Sequence, residues 1–410
     1  VQPSDVDLTD LDVFEDRVPH DWFELLRREA PVHWQEEDDG PGFWAITKYA
    51  DLKHISKRPE LFSSERKGTL LLECPETTLP FMRNILINMD PPRHRTHRNL
   101  INTVFRPRLV EKLRPRVVQM VKEIINAVIE QGECDFVNDL AAPLPMLVIC
   151  EMMGVPEEDQ RHIYEVGNRM VGFDDPELRP DGTLGAMTDG EVASAEMFLY
   201  ADKLREKAVS HPSDDLATAL VNAELDGHRL TEEEFRFFFL LLLVAGNETT
   251  RTVTTNGMIS LLENRDELLL LQDHPSLVDS AVEEILRFAP AVHCFRRTAT
   301  AETELRGVKI REDDKVVLWY PSANRDEEVF DHPHRFDIRR HPNEHLAFGH
   351  GEHYCLGANL ARMELQEIFR GLAMRLDGLE MTEKPRRLRS NFVNGVKEMR
   401  VRFEPGPVLD

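Results

Sequence analysis

The chain has 410 residues, 41% of them hydrophobic and 30% charged, and 50 Lys and Arg against 74 Asp and Glu leave a formal charge of −24. This is a globular composition rather than a low-complexity one, and its acidity makes the chain a poor partner for nucleic acid, whose phosphates it would repel. Five cysteines, at 74, 134, 150, 294 and 355, are scattered and odd in number, which implies no disulfide framework and suits a reducing cytoplasm.

The opening stretch, VQPSDVDLTDLDVFEDRVPH, is acidic and lacks the apolar core of a signal peptide. Two short strand-like pieces follow, PVHW from 31 and GFWAIT from 42. Helical periodicity then takes over. Leu113, Val117, Met120, Val121, Ile124, Ile125 and Val128 form an i, i+3, i+4 stripe that predicts a helix over 108–131. Further helices are predicted at 140–154, 156–172, 188–210, 214–224, 230–263, 275–288 and 356–376. The apolar run Phe237 to Gly246 is short of the about 20 residues that span a bilayer, so no membrane partner is expected. Strand signals return in VKIRED, KVVLWY and EMRVRFEP. No linker, low-complexity tract or internal repeat interrupts the chain. It reads as one domain, 1–410, mostly α with a minor β region.

Several motifs carry chemistry. In MDPPRHRTHRNL, His94 and Arg98 lie one helical turn apart; with Arg296 and Arg297 of FRRTAT they could hold a di-anion. In LLLVAGNETTRTV, Glu248 and Thr249 follow the small pair Ala245 and Gly246 inside an otherwise apolar helix. An acid beside an alcohol there makes a proton relay, although a packing glycine and a solvated glutamate explain the same letters. Glu284 and Arg287 of VEEILRF share one helix face, as an ordinary surface ion pair also would. Arg335 of FDHPHRFDIRR is placed to complete a triad with them.

The most informative stretch is AFGHGEHYCLGANLARMEL, residues 347 to 365. It sets Cys355 among Gly349, Gly351 and Gly357, directly before a predicted helix. Three readings compete. A buried structural cysteine is the plainest. A zinc site would recruit His341, His345, His350 and His353, yet the paired cysteines usual for zinc are lacking. The third is a thiolate on haem iron: glycines let the backbone approach a flat cofactor, and a helix N-terminus favours the anion.

Taken together, these motifs resemble the cytochrome P-450 family over nearly the whole chain and in the right order. Phe348-Gly349-His350-Gly351-Glu352-His353-Tyr354-Cys355-Leu356-Gly357 is similar to the family's haem loop without a departure. Ala245-Gly246-Asn247-Glu248-Thr249-Thr250 is similar to its oxygen-binding pattern, and Glu284, Arg287 and Arg335 to its E-R-R triad. The resemblance implies the cytochrome P450 fold as a single haem-enclosing domain. It further implies haem b (iron protoporphyrin IX) with Cys355 as the metal ligand, a role carried over from the family. Phe348, Gly349, Gly357 and Ala245 would then lie against the cofactor. His94, Arg98, Arg297 and His353 would meet its propionates, and Glu248 with Thr249 would deliver protons to dioxygen. A lipophilic substrate such as a terpenoid or steroid would meet the 64–85 loop, Val244, Ala245, 290–295 and 391–395. Electrons from NAD(P)H would arrive through a separate ferredoxin-type partner. Its expected dock is the basic stretch 93–116, with eight Arg or Lys against Glu111. Arg93, Arg106, Arg108 and Lys112 are the leading contacts. A peroxygenase and a non-catalytic haem sensor are the rival readings.

Overall fold

The computed structural model describes residues 2–38, 40–102, 105, 107–170, 177, 186–225 and 227–409. Its described residues are mostly helical with small sheets, as composition and periodicity predict. Packing divides them into two interleaved units. One comprises Val1–Arg95, Asp279–Cys355 and Arg389–Gly395; the other comprises Thr96–Val278, Leu356–Leu388 and Val396–Asp410.

The first unit is built on a sheet whose strands run in the order Val32–Gln35, Phe43–Ile46, Lys315–Trp319, Cys294–Ala299, Phe62–Ser63. The pairing of Phe43–Ile46 with Lys315–Trp319 is parallel, with Trp44 opposite Val316; the other pairings are antiparallel. Lys315–Trp319 is buried along its whole length. Its alternating side chains serve two cores, because successive strand residues point to opposite faces. Val316 and Leu318 pack with Ile46, Ile55 and Phe330, whereas Val317 and Trp319 pack with Phe14, Phe23 and Leu26. The run VVLW after Lys315 is therefore apolar throughout because both faces are covered. Cys294–Ala299, which the sequence reading missed, is the strand that carries Arg296 and Arg297. Short helices at Leu11–Asp16, His20–Glu29 and Tyr49–Ser56 also escaped it.

The second unit holds the long helices: Pro107–Asn126, Pro143–Met153, Glu157–Met170, Ala186–Ser210, Glu232–Glu263 and Ala358–Arg375. The longest, Glu232–Glu263, starts at a capping box: Thr231 accepts from the Glu234 amide and Glu234 accepts from the Thr231 amide. Ala358–Arg375 packs along Pro107–Asn126 and also touches the long helix. Among the described residues, Phe136–Met153 is the one helical stretch long and apolar enough to cross a membrane, and 72% of it is buried within the protein.

Candidate functional site

The cysteine loop is shaped by backbone demands that only glycine meets. Gly349 and Gly351 both adopt left-handed φ, +70° and +71°. A Cβ on Gly351 would lie 2.3 Å from the Ser56 carbonyl oxygen, so the loop seats against that residue only without one. The Gly349 amide donates to Leu346 O at 2.9 Å, and the Cys355 amide donates to Phe348 O at 2.8 Å, which folds the thiol back over the turn. Cys355 is half-buried and forms no disulfide. The next helix begins at Ala358 with Gly357 as its N-cap, two residues later than predicted. The other four thiols are held up by burial: Cys134 and Cys150 are pushed up to about 12, and Cys74 and Cys294 are also raised. Cys134, Cys150 and Cys294 are buried, which disfavours a thiolate, and Cys74 is half-buried. Among the described residues, no three His, Cys, Asp or Glu converge as a metal site.

Cationic groups gather near this loop. The His353 and His94 rings lie 4.3 Å apart by centroid, and His353 Nε2 is 3.2 Å from Ser64 Oγ. Arg297 is buried; its Nη1 donates to the Arg296 carbonyl at 2.7 Å. Burial pulls its guanidinium below the usual arginine range, with Tyr320 and Asp90 opposing. Among the described residues it makes no ion pair. Arg98 follows His94 by one turn on the helix Arg93–Asn102 and is half-buried.

On the long helix, Thr249 Oγ donates to the Ala245 carbonyl one turn back at 2.6 Å. Ala245 is exposed although its neighbours Leu243 and Asn247 are buried, so the helix opens a narrow strip at 245 and 249. Gly246 has a packing role: a Cβ there would stand 2.7 Å from Ile149 Cδ1. Glu248 is not the solvated acid of the plain reading. It is buried, ion-paired with Arg251, and 3.4 Å from Thr252 Oγ. Arg251 is held in turn by a side-chain hydrogen bond with Tyr164.

Glu284 and Arg287 are both fully buried and bonded through two 2.8 Å hydrogen bonds. The expected third member is corrected. Arg335 offers only its carbonyl, at 3.2 Å from Arg287 Nη2, while its side chain is 60% exposed beside Asp337. The second arginine on Glu284 is Arg340, whose Nε donates at 3.1 Å. The Asp337 amide and Asn343 Nδ2 complete the carboxylate at 2.9 and 3.2 Å. Arg340 wins because the turn after Phe336 directs it inward, where it also serves the carbonyls of Asp331 and Arg335.

Three segments expected around a substrate lie together in the first unit. The His293 amide donates to Phe392 O and the Asn394 amide to Ala291 O, both at 2.8 Å. The Arg296 amide donates to Thr69 O at 2.8 Å, which fastens the 64–85 loop to the same strand. Leu72 and Phe81 on that loop are exposed apolar side chains. In the basic stretch, Lys112 is exposed and, among the described residues, makes no ion pair. Arg93 is engaged with Asn84 and the Arg83 carbonyl. Arg106, and the side chain of Arg108, lie outside the described residues.

Sequence reasoning passed over Glu364, which is buried on Ala358–Arg375. Desolvation pushes its carboxyl up to about 8, against a hydrogen bond with Thr250, and its Oε2 has no partner among the described residues. A signal was present: Glu364 interrupts the apolar i, i+4 row Leu360, Ile368, Leu372.

Comparison with known proteins agrees with this geometry. The family model described as Cytochrome P450 matches residues 271–388. A Steroid C26-monooxygenase of Rhodococcus jostii is 39% identical, covering 98% of this chain and 85% of its own. A Methyl-branched lipid omega-hydroxylase of Mycobacterium tuberculosis is 40% identical, covering 97% and 94%. The solved structure of a Mycobacterium marinum cytochrome P450 in complex with pseudoionone superposes with a TM-score of 0.88 at 35% identity, covering 95% of this chain and 96% of that one.

Proposed function

The chain belongs to the cytochrome P450 family, and on that premise we propose that it hydroxylates the terminal methyl region of a branched, lipophilic chain at a haem held by Cys355. As a P450 monooxygenase it takes a lipophilic substrate and draws electrons from NAD(P)H through a redox partner. Haem, when bound, supplies the iron at which O₂ is activated, one oxygen atom passing to the substrate and the other leaving as water. The observation that carries the assignment is the Cys355 loop, whose two left-handed glycines present a half-buried thiol ahead of a helix N-terminus.

The residues present fit the cofactor. Arg297 is a buried guanidinium without an ion pair among the described residues, and a buried cation of that kind calls for a carboxylate such as a propionate. His94, Arg98 and His353 supply further donors for those groups. The exposed strip at Ala245 and Thr249 is a smooth helix face on which a planar group can lie. Phe348, Gly349 and Gly357 would lie against the cofactor beside Cys355. That the relatives cover 97–98% of the chain supports reading 1–410 as one haem-enclosing domain.

Thr249 and Glu248 would hold the proton route. Thr249 Oγ must release the Ala245 carbonyl to reach forward, and Glu248 must loosen from Arg251 to pass a proton. The arrangement favours monooxygenation over peroxide use, which needs no such relay. For substrate, the relatives' names share oxidation at a chain end: C26 of a steroid and the ω position of a methyl-branched lipid. Exposed Leu72 and Phe81 suit such a ligand. The redox partner would be an acidic ferredoxin docking on the basic stretch 93–116, where Lys112 is exposed. Such an enzyme works in the cytoplasm, where reduced partners are present.

Titration with steroids and methyl-branched lipids tests the substrate class. A low-to-high-spin shift followed by a terminally hydroxylated product is expected. Spin shifts and turnover confined to small polar or aromatic compounds would refute it.

A further inference from the structure

Behind the Glu284 network lies a set of buried donors that this protein's own acceptors do not satisfy. The turn after the Lys315–Trp319 strand, Ser322 to Arg325, packs against the helix His20–Glu29. The Ser322 carbonyl takes two donors, Arg27 Nη1 at 3.1 Å and the Arg325 amide at 3.0 Å. Arg287 Nη1 reaches the next carbonyl but one, Asn324 O, at 2.8 Å. Three arginines are thus drawn to one four-residue turn.

Their charges are unevenly matched. Arg287 has Glu284, and Arg27 Nε has Glu327 at 3.0 Å. Arg325 makes no ion pair among the described residues; its guanidinium instead lies over the Phe288 ring, 4.2 Å from the centroid. It is only 3% exposed. Among the described residues, Arg325 Nη1, Arg27 Nη2 and Asn324 Nδ2 are all buried and without a hydrogen-bond partner, as is His20 Nδ1. The first three are obligate donors, and the imidazole nitrogen donates in one tautomer.

A buried ionised group without a partner is costly, and most such groups escape by changing protonation. Arginine does not have that escape, because its guanidinium stays protonated. Burial, with repulsion from Arg287 and Arg27 and with Glu284 opposing, pulls Arg325 well below its usual range. Glu284 eases that stress from a distance, but its hydrogen bonds are spent on Arg287 and Arg340, and those of Asp326 on Lys48 and the Tyr49 amide. A group that only accepts hydrogen bonds and carries negative charge would satisfy Arg325 and Arg27, whose charges repel each other. Water would satisfy the bonds but not the charge.

We propose that the Ser322–Arg325 turn and the helix His20–Glu29 enclose a binding site for a small inorganic anion of chloride size, held chiefly by Arg325 Nη1 with Arg27 Nη2 as a further donor. The anion neutralises the repulsion that Arg325 feels from Arg287 and Arg27. The inference stands on the first unit alone and is independent of the substrate reading.

Crystals of the haem-loaded protein soaked in bromide test it directly. An anomalous peak at hydrogen-bond distance from Arg325 Nη1, replaced by chloride scattering in the unsoaked crystal, is expected. An ordered water there without anomalous signal, or bromide confined to the surface, would overturn the proposal. In solution, chloride should raise the melting temperature at constant ionic strength with gluconate making up the balance, since a ligand of the native state stabilises by mass action. Arg325→Gln should flatten that dependence. A wild-type melting temperature indifferent to chloride, with the diffraction experiment negative, removes the site whether or not the variant folds.

Discussion

Glu284→Ala should be among the most damaging single substitutions in this chain outside the cysteine loop. The carboxylate is fully buried and receives five donors: two from Arg287 at 2.8 Å, the Asp337 amide at 2.9 Å, Arg340 at 3.1 Å and Asn343 at 3.2 Å. Its loss leaves Arg287, also fully buried, with only the carbonyls of Asn324, Pro333 and Arg335. Removing one partner of a buried pair costs about 3–5 kcal/mol because the other charge stays behind. Against a typical total of about 5–15 kcal/mol, that is roughly a fifth of the protein's stability or more. Urea unfolding of the haem-loaded protein, followed by Soret absorbance and far-UV circular dichroism, gives the number. Arg340→Ala should be costly in the same assay. Arg335→Ala should fall within about 0.5 kcal/mol of wild type, because that residue gives only a carbonyl, which alanine keeps. A Glu284→Ala loss below about 1 kcal/mol, the scale of a surface pair, would refute the reasoning, as would Arg335→Ala proving worse than Arg340→Ala.

Thr249→Ala should keep consuming reducing equivalents while releasing peroxide in place of product, a loss of about 10²–10⁴-fold in productive proton delivery; coupling at the wild-type level would place the relay elsewhere. Arg251→Gln frees Glu248 from its ion pair and should change the solvent isotope effect on turnover while leaving the substrate spin shift intact; an unchanged isotope effect would show the pair to be passive. Glu364 gives a pH dependence of stability. Its carboxyl titrates near 8 in the fold against 4.5 when exposed, so the native state keeps a proton that the unfolded chain has released. Stability therefore falls as pH rises between those values and levels off above 8. The melting-temperature advantage of wild type over Glu364→Gln should shrink from about pH 5 to about pH 9, and a constant gap would contradict a buried neutral acid. Reversing Lys112 and Arg108 to Glu should slow reduction by a ferredoxin and weaken its salt dependence, since exposed charges act within about 8 Å at physiological ionic strength. Unaltered reduction kinetics would move the dock to another surface.

What the sequence made readable was whatever the backbone itself requires. Gly349 and Gly351 are forced by φ and by the Ser56 carbonyl, so the cysteine loop leaves a dense pattern of letters. The long helix is readable because its capping box and apolar run coincide. The triad was misread for a different reason: Arg335, Arg339 and Arg340 are alike in sequence, and only the path of the turn after Phe336 decides which one faces Glu284. The strand Cys294–Ala299 was hidden by its two arginines, which look solvated until burial is known. Arg251 and Tyr164 come from different helices, and no spacing rule joins them. Glu364, by contrast, could have been found, because a glutamate set in a row of leucines and isoleucine has no solvent to face.

The central claim is that Cys355 holds the haem iron as a thiolate. Its most direct measurement is the absorption spectrum of the reduced, carbon-monoxide-bound protein beside that of Cys355→Ser. Thiolate ligation predicts the red-shifted Soret band in the wild type and its loss in the serine variant. A wild-type band at the position of histidine-ligated haem, or a red-shifted band that survives in Cys355→Ser, would contradict it.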